Sequence, residues 1–157
     1  MDAPVVHADR AKWEGLARSL SGLFRQMPDI YTSTITLSAT NSYIRYLNSE
    51  GASYTLRAPR VTFNAHAATQ APDGTPLDDF VWLYVTSVAE LPSADELASH
   101  VRALGQRLKD LRTATVIDNY KGPVLAEGDA AAQLFRLVFV PDLLGSRQVL
   151  MDNAFGP

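Results

Sequence analysis

The sequence contains no cysteine, which excludes disulfides and thiolate metal centres and fits a reducing compartment. It has no apolar run of membrane-spanning length. The opening Met1-Asp2-Ala3-Pro4-Val5-Val6-His7 lacks the basic and apolar regions of a signal peptide. Basic charge is scarce and scattered. The formal net charge is −3, and the nearest approach to a basic cluster is Arg102, Arg107, Lys109 and Arg112 on one predicted helix. A nucleic-acid surface needs a clustered basic face, so none is expected. Histidine occurs only at His7, His66 and His100, with no H-x-x-x-H spacing to converge on a zinc ion from one helix face. There is no internal repeat, no low-complexity segment, and no G-x-x-x-x-G-K-[ST] or G-x-G-x-x-G loop. These traits predict a soluble, cytoplasmic protein without a membrane or nucleic-acid role.

What is present is enough for a real core. Of 157 residues, 46% are hydrophobic and 20% charged, a globular balance. The organising stretch is Tyr31–Ser87, which predicts three or four antiparallel strands joined by tight turns. Tyr31–Ala39 alternates, with Ile35 and Leu37 opposed to Thr34, Thr36 and Ser38. Thr40-Asn41 supplies turn chemistry, because Asn tolerates left-handed backbone. Ser42–Asn48 alternates again, and Ser49-Glu50-Gly51 is the next turn. A strand beginning at Ala52 is interrupted at Pro59, which marks an edge, a bulge or a break. Val61, Phe63, Ala65 and Ala67 then resume one face. Pro72-Asp73-Gly74 is the strongest turn signal. Phe80–Thr86, dense in β-branched and aromatic residues, reads as the most buried strand.

Helices flank this stretch. Asp9 is placed to cap a helix whose stripe is Trp13, Leu16, Leu20, Leu23 and Phe24, ended by Pro28. Gly15 and Gly22 weaken that helix by about 1 kcal/mol each relative to Ala. Ser93-Ala94-Asp95-Glu96 is a capping box opening a helix over Ala94–Arg112 with Leu97, Val101, Leu104, Leu108 and Leu111 on its apolar stripe. Beyond it, short strands are predicted at Thr115–Ile117 and Gly122–Ala126. A third helix follows, capped by Asp129 and closed by Pro141, and Asp142–Pro157 shows no clear period. The expectation is an α+β protein: an antiparallel β-meander covered by helices, with a short C-terminal β-α segment. Residues 1–112 form the main domain and 113–157 begin an incomplete one. Loss of packing in the second should leave Leu134, Phe135, Val138 and Phe139 partly exposed, inviting homo-oligomerisation.

No complete catalytic constellation is visible. Asp78 and Asp79 are adjacent in a strand, so they point to opposite faces and cannot share a site. Arg45, Arg57 and Arg60 lie on the meander, where guanidinium forks suit carboxylates or phosphates. The plainer reading is a solvated sheet face. Tyr43, Tyr46 and Tyr54 are explained by cross-strand packing.

Two segments carry a resemblance. Tyr46-Leu47-Asn48-Ser49-Glu50-Gly51 resembles the "NSEG" hairpin of the TldD/PmbA (TldE) family, once called modulators of DNA gyrase. Asp118–Phe135, with its G-P-V-L-x-E-G-x-A-A-A-x-L-F run, resembles the segment leading into that family's C-terminal domain. The resemblance spans about Trp13 to Arg147 and implies proteolysis of small or unfolded peptides. TldD-like members resemble zinc peptidases with an H-E-x-x-x-H helix and a cysteine ligand. PmbA/TldE-like members lack those ligands and partner the catalytic subunit. Here the metal helix would fall near Arg136–Pro141, where no ligand matches, so no catalytic or metal residue carries over. The implied type is metal-free and truncated, binding no cofactor itself, with zinc in a TldD-like partner. Arg45, Arg57, Arg60 and His66 are then the candidate peptide-binding residues. The alternative is a protein-interaction domain without any link to peptidase activity.

Overall fold

A computed structural model describes residues 5–117 and 119–143. The chain divides into two compact units, Met1–Thr115 and Val116–Pro157. The first is built in the order α1 (Arg10–Leu23), β1 (Thr32–Leu47), β2 (Ser53–Gln70), β3 (Pro76–Val85) and α2 (Ala94–Arg112). The strands form one antiparallel sheet in the order β1-β2-β3. This is the α+β class expected from the sequence.

Both helix starts follow their capping chemistry. Asp9 accepts from the Lys12 amide at 3.1 Å at the start of α1. Ser93 accepts from the Glu96 amide, and Glu96 reaches back to the Ser93 amide at 2.8 Å, closing the capping box of α2. These hydrogen bonds to Ser93 hold the Glu96 carboxyl below its ordinary value. Asp95 and Glu96 at one end of α2 and Lys109 and Arg112 at the other oppose its dipole favourably.

One sheet face is covered and the other is open. Val61, Phe63, Ala65, Ala67 and Thr69 alternate along β2 as buried positions. Phe63, Ala65 and Ala67 meet Leu97, Val101, Leu104 and Leu108 of α2, and Leu20 and Phe24 beside them. Full burial of side chains such as Phe63 and Leu104 stabilises by about 1.5–3 kcal/mol each. Ile35 and Leu37 from β1, and Val81 and Leu83 from β3, fill the same layer. An added Cβ at Gly105 would meet the Met27 thioether, so that flexible side chain would have to move aside. The one buried polar side chain among the described residues, Thr69, donates from Oγ1 to the Asp29 carbonyl. Arg112 pairs with the Asp29 carboxylate and also donates to the Gln70 carbonyl at 2.9 Å, tying the end of α2 to the end of β2.

Several sequence expectations are corrected. There is no turn at Thr40-Asn41: β1 runs unbroken and pairs with β2 from Thr32↔Ala68 to Leu47↔Ser53. The Asn41 amide serves the N-terminal segment instead of its own backbone. It accepts from the Val6 amide at 2.8 Å and donates to the Val6 carbonyl at 2.9 Å. Nor does Pro59 break β2. It lies opposite Asn41, in a stretch where β2 has β1 on one side and no β3 on the other, an edge that tolerates a missing donor. The Phe80 strand is not the most buried. β3 is an edge strand, and its even positions Phe80, Trp82 and Tyr84 face away from the helices. The central strand β2 takes the core instead.

The predicted turns at Gly51 and Gly74 are real, with φ of 88° and 92°. Asp73 accepts from the Thr75 amide at 2.9 Å, and the Thr75 hydrogen bonds lower its carboxyl from its ordinary value.

The second unit contains α3 (Gly128–Val138) and the short α4 (Val140–Leu143). The strands predicted at Thr115–Ile117 and Gly122–Ala126 are irregular backbone. Pro123 has no amide to give a ladder, and Tyr120 caps the Pro123 carbonyl locally at 3.0 Å. Glu127, not Asp129, stands at the N-cap of α3, and its side chain makes no capping bond. Pro141 falls inside α4 rather than beyond a helix; an early helical position has no partner for an amide, so proline fits there. Phe135 and Phe139 stack at 5.1 Å, and both remain about half exposed with Leu134 and Val138. The aperiodic tail from residue 144 lies outside the described residues.

Candidate functional site

The longest exposed feature of the first unit follows from unequal strand lengths. β3 pairs with β2 only from Val61↔Val85 to Gln70↔Pro76. Residues 40–47 and 53–60 therefore continue as a two-stranded ribbon with exposed residues on both faces. The ribbon end is organised by Asn48, whose Oδ1 accepts from the Glu50 amide at 3.2 Å and the Ala52 amide at 2.8 Å. Gly51 supplies the left-handed residue that closes it. The Asn48-Ser49-Glu50-Gly51 segment thus has a local structural job, independent of any ligand.

Face assignment follows from the unbroken register, since alternate residues share a face. Arg45 and Arg57 lie on the ribbon face continuous with the helix-covered side. Arg57 stacks over the Tyr43 ring at 5.6 Å. Arg60 and His66 lie on the opposite, open face. Arg60 stacks over Tyr84 at 5.5 Å, and His66 Nε2 sits 3.2 Å from Asp78 Oδ2. The four residues proposed from the sequence are thus split between two faces. The structure brings Arg45 near Arg57, but not that pair to Arg60 and His66. Asp78 and Asp79 do point to opposite faces, as their adjacency requires. Asp79 accepts from Arg107 Nε of α2 at 2.7 Å on the helix side.

Sequence reasoning missed the aromatic row on the open face. Phe80, Trp82 and Tyr84 stand beside His66, Asn64 and Thr62 of β2, in that order. Trp82 is 63% exposed. Their spacing of two was visible in the sequence, but the apolar residues between them disguised the alternation as a fully buried strand. Further along the same face, Ile44 and Leu56 pair across the ribbon, and Tyr46 and Tyr54 stack at 5.0 Å.

A separate hollow of about 410 Å³ lies between the end of α1 and α2, lined by Leu23, Met27, Ile30, Arg102, Gly105 and Lys109. Gln26, Asp29 and Gln106 line it as well, so its lining mixes apolar, amide and oppositely charged side chains.

A zinc centre requires three protein ligands or more. His66 and Asp78 are two donors without a third, and among the described residues no group of three His, Cys, Asp or Glu side chains converges. These residues do not fit such a centre. No helix among the described residues is long and apolar enough to cross a membrane.

No protein-family model, no curated protein and no solved structure matches the chain. The class that the geometry defines is an α+β domain presenting an open sheet face and a projecting two-stranded ribbon.

Proposed function

We propose that this chain is a non-catalytic portion or subunit of a TldD/PmbA-like zinc metallopeptidase system of the cytoplasm, acting on small or unfolded peptides. Its sheet contributes peptide or partner binding, and a TldD-like catalytic subunit supplies the zinc. The observation that carries this reading is the edge of β2 over residues 53–60: β1 pairs with it on one side, and among the described residues no strand lies on the other once β3 ends. Backbone donors and acceptors along such an edge take up an extended segment by strand addition, with main-chain hydrogen bonds giving affinity. Strand addition tolerates many side chains, which suits a system acting on varied peptides. The resemblance of Tyr46–Gly51 and of the Gly122–Phe135 run to the family supports the assignment to that system. Of the residues proposed from the sequence, Arg57 and Arg60 lie within this edge stretch on opposite faces, Arg45 lies across the ribbon on β1, and His66 lies beyond the edge, where β3 pairs with β2.

Co-expression with a chain carrying an H-E-x-x-x-H helix tests the proposal. The expected outcome is a stable complex that cleaves an unfolded peptide in a zinc-dependent way, while this chain alone does not. Zinc-dependent cleavage by this chain alone, or failure to associate with any such chain, overturns it.

An interaction domain without a peptidase link is the second reading. The large apolar side chains exposed on both ribbon faces favour it, because patches of this kind mark partner surfaces. A complex that forms only with chains lacking the zinc helix would select it.

A further inference from the structure

We infer that the open face of the three-stranded sheet is a self-association surface, packing against the same face of a second copy about a two-fold axis through Trp82. The surface is distinct from the β2 edge, so the inference stands apart from the peptide-binding proposal. Phe80, Trp82 and Tyr84 project from β3 and are 45%, 63% and 59% exposed. Three rings that each leave about half of their 150–250 Å² uncovered supply roughly 225–375 Å². The Thr and Asn rows of β1 and β2 beside them extend the patch toward the roughly 800 Å² per copy of a standard interface.

Charge placement selects a second copy as the occupant. The formal charges on this face of the three strands are Arg60 at one end and Asp78, with His66, at the other. Asp78 is level with Ala68, so eight residues of β2, about 26 Å, separate the two charges. Asn64 and Trp82 are paired at the midpoint between them. A two-fold axis crossing the strands at that level lays β2 over β2 and β3 over β3, running in opposite directions. Arg60 of each copy then faces the Asp78 end of the other, and the two Trp82 rings meet at the centre. One face thus complements itself in shape and sign, as an isologous interface requires.

Sedimentation velocity on the full chain, from micromolar to hundreds of micromolar, tests this. The expected result is a reversible monomer–dimer equilibrium, with Trp82→Ser weakening dimerisation about 30-fold, the loss typical of a central aromatic anchor. Arg60→Glu and Asp78→Arg should each be monomeric alone, because each opposes like charges twice. Mixed in equal amounts they should dimerise, since both cross-copy contacts then join opposite charges. Circular dichroism verifies that each variant is folded. A chain monomeric throughout, a dimer indifferent to Trp82→Ser, or a mixture that stays monomeric overturns the inference. So does a dimer lost only on substituting Leu134 or Phe135.

Discussion

Asp79 of β3 accepts a hydrogen bond from Arg107 Nε of α2 at 2.7 Å. It is a direct polar tie between that helix and the edge strand, and the neighbouring Asp78 takes no part in it. The Arg107 side chain is about half exposed, so solvent screens the pair. Asp79→Ala should therefore cost no more than about 1 kcal/mol in urea unfolding. Asp78→Ala, which among the described residues removes a side-chain contact with His66 alone on the open face, should leave the unfolding midpoint unchanged. Equal losses for the two would contradict the face assignment.

The glycines of the helices differ in what surrounds them. Nothing approaches the position of a Cβ at Gly15 or Gly22, whereas at Gly105 the Met27 side chain occupies that space and would have to shift for a larger residue. Gly15→Ala and Gly22→Ala should each stabilise by about 0.5–1 kcal/mol. Gly105→Val should destabilise by about 1–3 kcal/mol through overpacking. Thermal unfolding of the three variants reads this directly.

The capping box makes an acid-side prediction. Hydrogen bonds from Ser93 lower the Glu96 carboxyl from its ordinary 4.5. A carboxyl lowered in the folded state contributes stability that is complete above that ordinary value. The contribution is lost as pH falls through the lowered one, because the unfolded chain takes up the proton first. Melting temperature should fall as pH drops below about 4.5, and Glu96→Gln should flatten that fall while lowering the plateau at neutral pH. An unchanged pH profile in Glu96→Gln would show that the box does not contribute.

The ribbon end depends on two residues with separable roles. Gly51 holds a φ of 88°, so Gly51→Ala should cost roughly 1–2 kcal/mol of backbone strain. Asn48→Ala removes the acceptor for the Glu50 and Ala52 amides and should cost about 0.5–1.5 kcal/mol. Because the ribbon projects beyond β3, both changes should speed amide exchange in 40–60 while leaving the Phe63 core protected.

Helices with strong local signals were legible from the sequence alone. Ser93-x-x-Glu96 and the apolar stripe that follows it specify α2 from Ala94 to Arg112. Gly51 and Gly74 marked their turns because nothing else takes positive φ so readily. What escaped was decided at a distance. Asn41 has the local chemistry of a turn, yet it is kept in a strand by sixteen paired residues and by Val6, far away in sequence. Phe80–Val85 has the composition of a central strand, but strand order places it at an edge. The candidate site was legible as residue types and not as a place, because Arg45 and Arg60 differ in parity and so in face.

Backbone amide exchange over residues 53–60, with and without an extended unfolded peptide, tests the central claim most directly. Strand addition at the open edge of β2 predicts slowed exchange there, with the amides of residues 61–70, already paired on both sides, unaffected. Peptide binding that leaves residues 53–60 unprotected, and protects another surface instead, would contradict it.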